Sequence, residues 1–86
     1  MPTYAVEFTP AAERQFDKLP RPDRTLVAAA VAALASNPRP AGGVKLSGVE
    51  GLWRVRVQRF RIIYTVVDQR LLVTVVKVGD RKDVYR

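Results

Sequence analysis

With 86 residues, 15 Lys+Arg against 8 Asp+Glu and a net charge of +7, the chain is a small, strongly basic protein without cysteine or histidine. That length supports one domain, residues 1–86, with a single modest core. Lacking cysteine it can form neither disulfides nor thiolate metal sites, and lacking histidine it loses the commonest metal ligand. A cytosolic protein that needs no metal or cofactor is therefore expected.

The charge is unevenly distributed. Residues 1–43 hold five basic and four acidic side chains, whereas residues 44–86 hold ten basic and four acidic ones. A C-terminal half this basic predicts a polyanionic partner, either nucleic acid or an acidic protein segment. No membrane partner is expected. The longest apolar run, Leu26 to Ala35, falls well short of the roughly 20 residues that a spanning helix requires. Met1-Pro2-Thr3-Tyr4 has no basic region leading into an apolar one, so no signal peptide is expected.

In chain order, Tyr4 to Phe8 alternates as a short strand with Tyr4, Val6 and Phe8 inward. Thr9-Pro10 reads as a helix start, with Thr9 as cap and Pro10 at the first helical position. Ala12, Phe16 and Leu19 give that helix one apolar face, and Pro20 ends it. A second helix is predicted from about Pro22-Asp23 to Ser36, with Leu26, Val27, Ala30, Val31 and Leu34 as its core stripe. Asn37 to Gly43, rich in proline and glycine, is a connector. Lys45-Leu46-Ser47-Gly48 reads as a loop or short edge segment.

Leu52 to Tyr64 carries the strongest pattern in the chain, because arginine and large apolar residues alternate with a period of two. Trp53, Val55 and Val57 would face a core, while Arg54 and Arg56 face solvent or a partner. Gln58-Arg59 would be a two-residue reversal, although neither residue favours the positive φ that tight hairpin turns require. That register sets Val57 against Phe60, Arg56 against Arg61, Val55 against Ile62 and Trp53 against Tyr64. Like charges directly opposite one another destabilise a sheet. An anionic partner would explain the row, as would a solvated basic face, and spacing alone leaves both open.

Asp68-Gln69-Arg70 reads as a turn and Leu71 to Val78 as a nearly all-apolar strand. Pairing Val67 with Leu71 would set Arg61 against Lys77, giving a basic face of Arg54, Arg56, Arg61 and Lys77. The tail from Gly79 to Arg86 either frays or folds back through Val84 and Tyr85, which would bring Arg81 and Tyr85 to the row. The expected fold is α+β, with two N-terminal helices packed on one face of a small antiparallel sheet of about four strands in the order β-α-α-β-β-β.

Three kinds of chemistry find no support in the sequence. No phosphate-binding glycine loop, no serine-histidine pair and no motif of paired carboxylates is present. An arginine cluster with tyrosine remains. Arginine binds phosphate bidentately and stabilises charge developing on a pentavalent phosphorus, and a tyrosine among cations can transfer a proton. RNA supplies its own nucleophile, the 2′-hydroxyl, so these groups suffice for strand cleavage by transesterification without a metal.

Lys45-Leu46-Ser47-Gly48, Leu52-Trp53-Arg54-Val55-Arg56-Val57, Phe60-Arg61-Ile62-Ile63-Tyr64 and the ending Val78 to Arg86 together resemble the RelE branch of the RelE/ParE toxin superfamily. The resemblance implies the toxin of a type II toxin–antitoxin pair, a metal-independent endoribonuclease that cuts mRNA in the ribosomal A site and so inhibits translation. It implies neutralisation by a cognate antitoxin, with operator DNA bound only through the toxin–antitoxin complex. By position, Arg54 and Arg56 match basic strand residues that contact phosphate and help activate the 2′-hydroxyl, and Arg61 matches the arginine that stabilises the transition state. Arg81 matches the arginine near the leaving oxygen, Tyr85 the tyrosine that stacks on the base, and Lys45 a residue holding RNA backbone. Lys77 extends the expected RNA-binding face. Asp80 departs from the pattern, since many relatives have a basic residue or histidine there. The alternative is the ParE branch, which poisons DNA gyrase on the same fold without nuclease activity.

Overall fold

The computed structural model describes residues 3–46 and 51–80. β1 (Ala5–Phe8) leads into α1 (Pro10–Asp17) and α2 (Arg21–Ser36), followed by β2 (Val44–Lys45), β3 (Leu52–Val57), β4 (Phe60–Val67) and β5 (Leu72–Asp80). The helices form as their end signals dictate. Thr9 caps α1, its hydroxyl accepting from the Ala12 N–H at 3.2 Å, with Pro10 opening the first turn. α2 starts at Arg21, one residue before Pro22, so Pro20 stands as its cap.

The sheet has five strands in the order β1-β5-β4-β3-β2. This corrects the expectation of about four antiparallel strands on two counts. Val44–Lys45 pairs with β3 as a two-residue edge strand, too short to show a periodicity of its own. β1 pairs parallel with β5, Ala5 opposite Leu72 through Phe8 opposite Val75. Two helices carry the chain across one face to the far edge, and three reversals then bring β5 back beside β1 running the same way.

The β3–β4 register is the expected one, Val57 opposite Phe60 and Trp53 opposite Tyr64. Its turn puts positive φ on Gln58 (56°) and not on Arg59. Only the first central position is thus left-handed, which is the pattern of a type II′ turn. The β4–β5 connection is longer than expected. Asp68–Arg70 forms a single 3-10 turn and Leu71 takes left-handed geometry (φ 48°, ψ 50°), so β5 begins at Leu72.

The core lies between the sheet and the helices. Ala12, Val27, Val31 and Leu34 from the helices meet Phe60, Ile62, Tyr64, Val73, Val75 and Val78 from the sheet. Each fully buried Val, Leu or Ile contributes about 1.5–3 kcal/mol relative to exposure. Tyr64 is buried with its hydroxyl donating to the Pro38 carbonyl at 2.8 Å, and desolvation pushes its pKa up. Gly43 lets the connector turn tightly beside Tyr64: its N–H donates to the Pro40 carbonyl at 2.8 Å, and a Cβ there would lie only 3.1 Å from that oxygen.

A second tie closes the end of the sheet near the chain start. Arg39 grips Asp68 with two hydrogen bonds of 3.0 and 2.8 Å, and the Tyr4 hydroxyl donates to the same carboxylate at 2.6 Å. The Arg39 hydrogen bonds, with Tyr4 behind them, lower the Asp68 pKa to about 2. The Arg39 guanidinium also sits over the Trp53 ring, 5.4 Å from its centroid. Connector, hairpin loop and β3 are thereby joined by residues whose roles no local periodicity signals.

Candidate functional site

The arginine row occupies the sheet face opposite the helices. Arg56 stands directly across from Arg61 and Arg54 from Ile63, while Trp53, Val55 and Val57 turn toward the core. Directly paired residues share a face with Cβ atoms about 4.5–5.5 Å apart, so Arg56 and Arg61 project together. Their depths differ. Arg56 is exposed and Arg54 half-buried, whereas Arg61 is only 7% exposed, with Ile63 beside it at 8%. The sequence left open whether this face is solvated or meets a partner, and at Arg61 it is not solvated. Periodicity assigns a face to a residue but carries no information on what lies over that face.

β5 contains the second correction. Arg61 pairs with Gly79 and not with Lys77, because Val67 pairs with Leu72, one residue later than expected, and the β4–β5 ladder shifts by one more between Ile63 and Tyr64. Tyr64 pairs with Val75 and Ile63 with Lys77, which leaves Val76 as a bulge. The bulge has a plain cause. Unbroken alternation from Val73 and Val75 would send Lys77 into the core, and one extra residue sends Val78 there instead. Lys77 therefore shares the face of Arg54, Arg56 and Arg61, as expected, but opposite Ile63.

Two other charged residues lie elsewhere. Lys45 pairs with Trp53 and so leaves the edge strand on the helix-bearing face, apart from the row. Asp80 pairs with Phe60, also on the helix-bearing face, and its carboxylate takes the Arg59 side chain at 3.2 Å. Arg59 reaches Asp23 at 3.3 Å as well and lies over the Phe60 ring at 4.8 Å. Sequence reasoning treated Arg59 only as a turn residue. Its position after a left-handed Gln58 turns it toward α2, a geometry with no local sequence signal. Arg59, Phe60 and Asp80 line a cleft of about 340 Å³ with Gln15, Lys18 and Asp23. Arg81, Tyr85 and the Ser47-Gly48 part of the predicted loop lie outside the described residues.

The structure thus brings together Arg54, Arg56, Arg61 and Lys77 and separates them from Lys45. Four cationic side chains on one sheet face, the central one buried on a rigid strand, form a fork suited to a phosphodiester. Burial restricts the Arg61 guanidinium before any ligand arrives, which favours electrostatic stabilisation of charge as it develops.

The chain matches the family model described as ParE toxin of a type II toxin–antitoxin system, parDE, over residues 6–85. It is 30% identical to a RelE-like toxin protein of Escherichia coli over 86 residues, covering 95% of this chain and 90% of that one. It is 31% identical to the toxin RelG of Mycobacterium tuberculosis over 84 residues, covering 96% and 97%. Among solved structures, the RelBE2 toxin–antitoxin complex of M. tuberculosis superposes with a TM-score of 0.82 at 30% identity, covering 96% of this chain and 97% of that one. The intact E. coli RelBE complex gives 0.79 at 25% identity, with coverage of 90% and 95%. The chain belongs to the RelE/ParE superfamily of toxins from type II toxin–antitoxin systems.

Proposed function

We propose that this toxin is a metal-independent endoribonuclease that cuts mRNA on the ribosome. The family model carries the ParE name and the relatives carry the RelE name, so the target is argued from the site. One observation carries the reading: Arg56 lies directly opposite the buried Arg61, with Arg54 and Lys77 on the same face. Directly paired residues project from the same face of the sheet, and the planar guanidinium fork binds phosphate oxygens bidentately, so one phosphodiester can be held by both arginines.

In this mechanism the 2′-hydroxyl of the scissile nucleotide attacks the adjacent phosphorus. The P–O2′ bond forms as the 2′-hydroxyl gives up its proton, the P–O5′ bond breaks as O5′ takes one up, and a 2′,3′-cyclic phosphate and a 5′-hydroxyl result with no net change in protons. Negative charge builds on the equatorial oxygens of the five-coordinate phosphorus. Arg61, fixed by its burial, stabilises that charge, while the less buried Arg54, Arg56 and Lys77 hold the flanking backbone. Arg81 and Tyr85 are assigned by resemblance to the leaving oxygen and to base stacking with proton transfer. The ribosome would supply the orientation of the RNA that so small a site cannot impose, which is where such a reaction gains much of its rate.

Several solved relatives, among them those of M. tuberculosis and E. coli, are toxin–antitoxin complexes, and a cognate antitoxin is proposed as the partner here, with operator DNA engaged through the complex. No helix among the described residues is long and apolar enough to cross a membrane. Primer extension on mRNA from cells expressing the toxin tests the reading. Cuts within translated codons, absent with folded Arg61→Ala, are expected. Intact message together with gyrase-linked DNA breaks would establish the ParE-type activity instead.

A further inference from the structure

β1 ends at Phe8, paired with Val75, but β5 continues to Asp80. Beyond Val75 the edge of β5 turned away from β4 has no neighbouring strand among the described residues, and the bulge at Val76 falls at that point. Backbone groups left there, partly buried beneath α1, would each cost a lost hydrogen bond. α1 takes the place of the missing strand. The Thr9 N–H donates to the Val75 carbonyl at 2.9 Å, and the Thr9 hydroxyl lies 3.5 Å from the Val76 carbonyl. Gln15 completes the set. Its side-chain Oε1 accepts from the Val78 N–H at 2.8 Å, across 63 positions of sequence.

Val78 is the residue immediately after Lys77, and its side chain enters the core with 2% exposure. Fixing its amide fixes the strand at the point where Lys77 is directed to the opposite face. We propose that Gln15, on the helix-bearing side of the sheet, is a positioning residue for the arginine face: it holds β5 past the bulge so that Lys77 stands beside Arg54, Arg56 and Arg61. Gln15 itself lies on α1, on the other side of the sheet from the row, and acts only through the strand. The proposal deepens the RNA-cleavage reading and rests on it for the role of Lys77, while its geometric half is independent of that reading.

The test compares wild type, Gln15→Leu and Gln15→Glu. Leucine approximates the shape without the acceptor, and glutamate retains an acceptor oxygen. In Gln15→Leu the Val78 amide should exchange about tenfold faster, as expected from loss of one part-buried hydrogen bond. The cross-strand nuclear Overhauser contact between Ile63 and Lys77 should weaken while that between Trp53 and Tyr64 persists, which shows that the fold is retained. Binding to a single-stranded oligoribonucleotide should lose about 0.7 from the slope of log affinity against log salt, the equivalent of one phosphate contact. Gln15→Glu should restore both properties. Lys77→Ala should lower the salt slope equally without changing exchange at Val78. If Gln15→Leu fails to fold, Gln15→Ala takes its place. Unchanged Val78 exchange and an intact Ile63–Lys77 contact in the folded variant would overturn the proposal, as would a salt slope equal to that of wild type. Wild type that binds no RNA would count against the cleavage reading alone, and the exchange and contact measurements would still decide the role of Gln15.

Discussion

Two pairs of arginines in this protein are used in opposite ways. Arg39 and Arg59 hold carboxylates, Asp68 at 2.8 Å for the first and Asp23 and Asp80 at 3.3 and 3.2 Å for the second, and each also lies over an aromatic ring. Arg56 and Arg61 lie across from each other on adjacent strands. Arginines of the first kind join connector, loop and helix to the sheet. Those of the second kind share one sheet face, opposite the helices, where the proposed function places the phosphodiester. The charge of a residue does not distinguish the two kinds; its cross-strand partner does.

Removing the functional kind should have the largest effect, and on activity. Arg61→Ala should lower mRNA cleavage by about 10²–10³-fold, the usual scale for losing one preorganised donor to a developing charge. Arg61→Lys should restore little of it, because a lysine ammonium lacks the planar fork. Cleavage assays on programmed ribosomes, beside circular dichroism to verify folding, check both. Full activity of folded Arg61→Ala would remove the contrast between the two pairs.

A stability effect of about 1 kcal/mol, with no change in cleavage beyond the loss of folded protein, is expected from Tyr64→Phe, which strands the Pro38 carbonyl beneath the connector. Thermal unfolding should show a fall of about 4–8 °C for a domain of this size. An unchanged midpoint would mean that the buried hydroxyl contributes nothing to holding the connector.

The Arg39–Asp68 tie should appear as a small dependence on acid. The Asp68 pKa is lowered to about 2 in the folded protein, chiefly by Arg39 and then by Tyr4, from an ordinary carboxylate value of 3.8. A depressed carboxylate contributes stability that is present above the unfolded value and is lost as pH falls through the folded one. The midpoint difference between wild type and Asp68→Asn should therefore be constant above about pH 4 and vanish toward about pH 2. Because the pair is exposed, the difference should also shrink in high salt. A difference that grew on acidification would contradict the assignment.

How much of this was legible in the sequence depended on the range of the cause. The β3–β4 register followed from Trp53, Val55 and Val57 alternating with Arg54 and Arg56, since burial of one face determines pairing. The helix starts followed from Thr9-Pro10 and Pro22. The bulge at Val76 was hidden because it depends on where β5 meets both β4 and α1, although Lys77 among valines was its local trace. Arg61 was placed on the right face, but its burial could not be read from a period-two pattern. Lys45 was assigned to the RNA surface by resemblance, and only its pairing with Trp53 reveals the other face. The partners of Arg39 and Arg59, Asp68 for the first and Asp23 and Asp80 for the second, are all distant in sequence and left no local mark.

The central claim is that Arg56 and Arg61 together hold a phosphodiester, and the salt dependence of RNA binding by Arg56→Ala tests it most directly. Arg56 is exposed, so truncation removes little packing. Binding to a single-stranded oligoribonucleotide should lose about 0.7 from the slope of log affinity against log salt, the equivalent of one phosphate contact. A slope equal to that of wild type would contradict the claim.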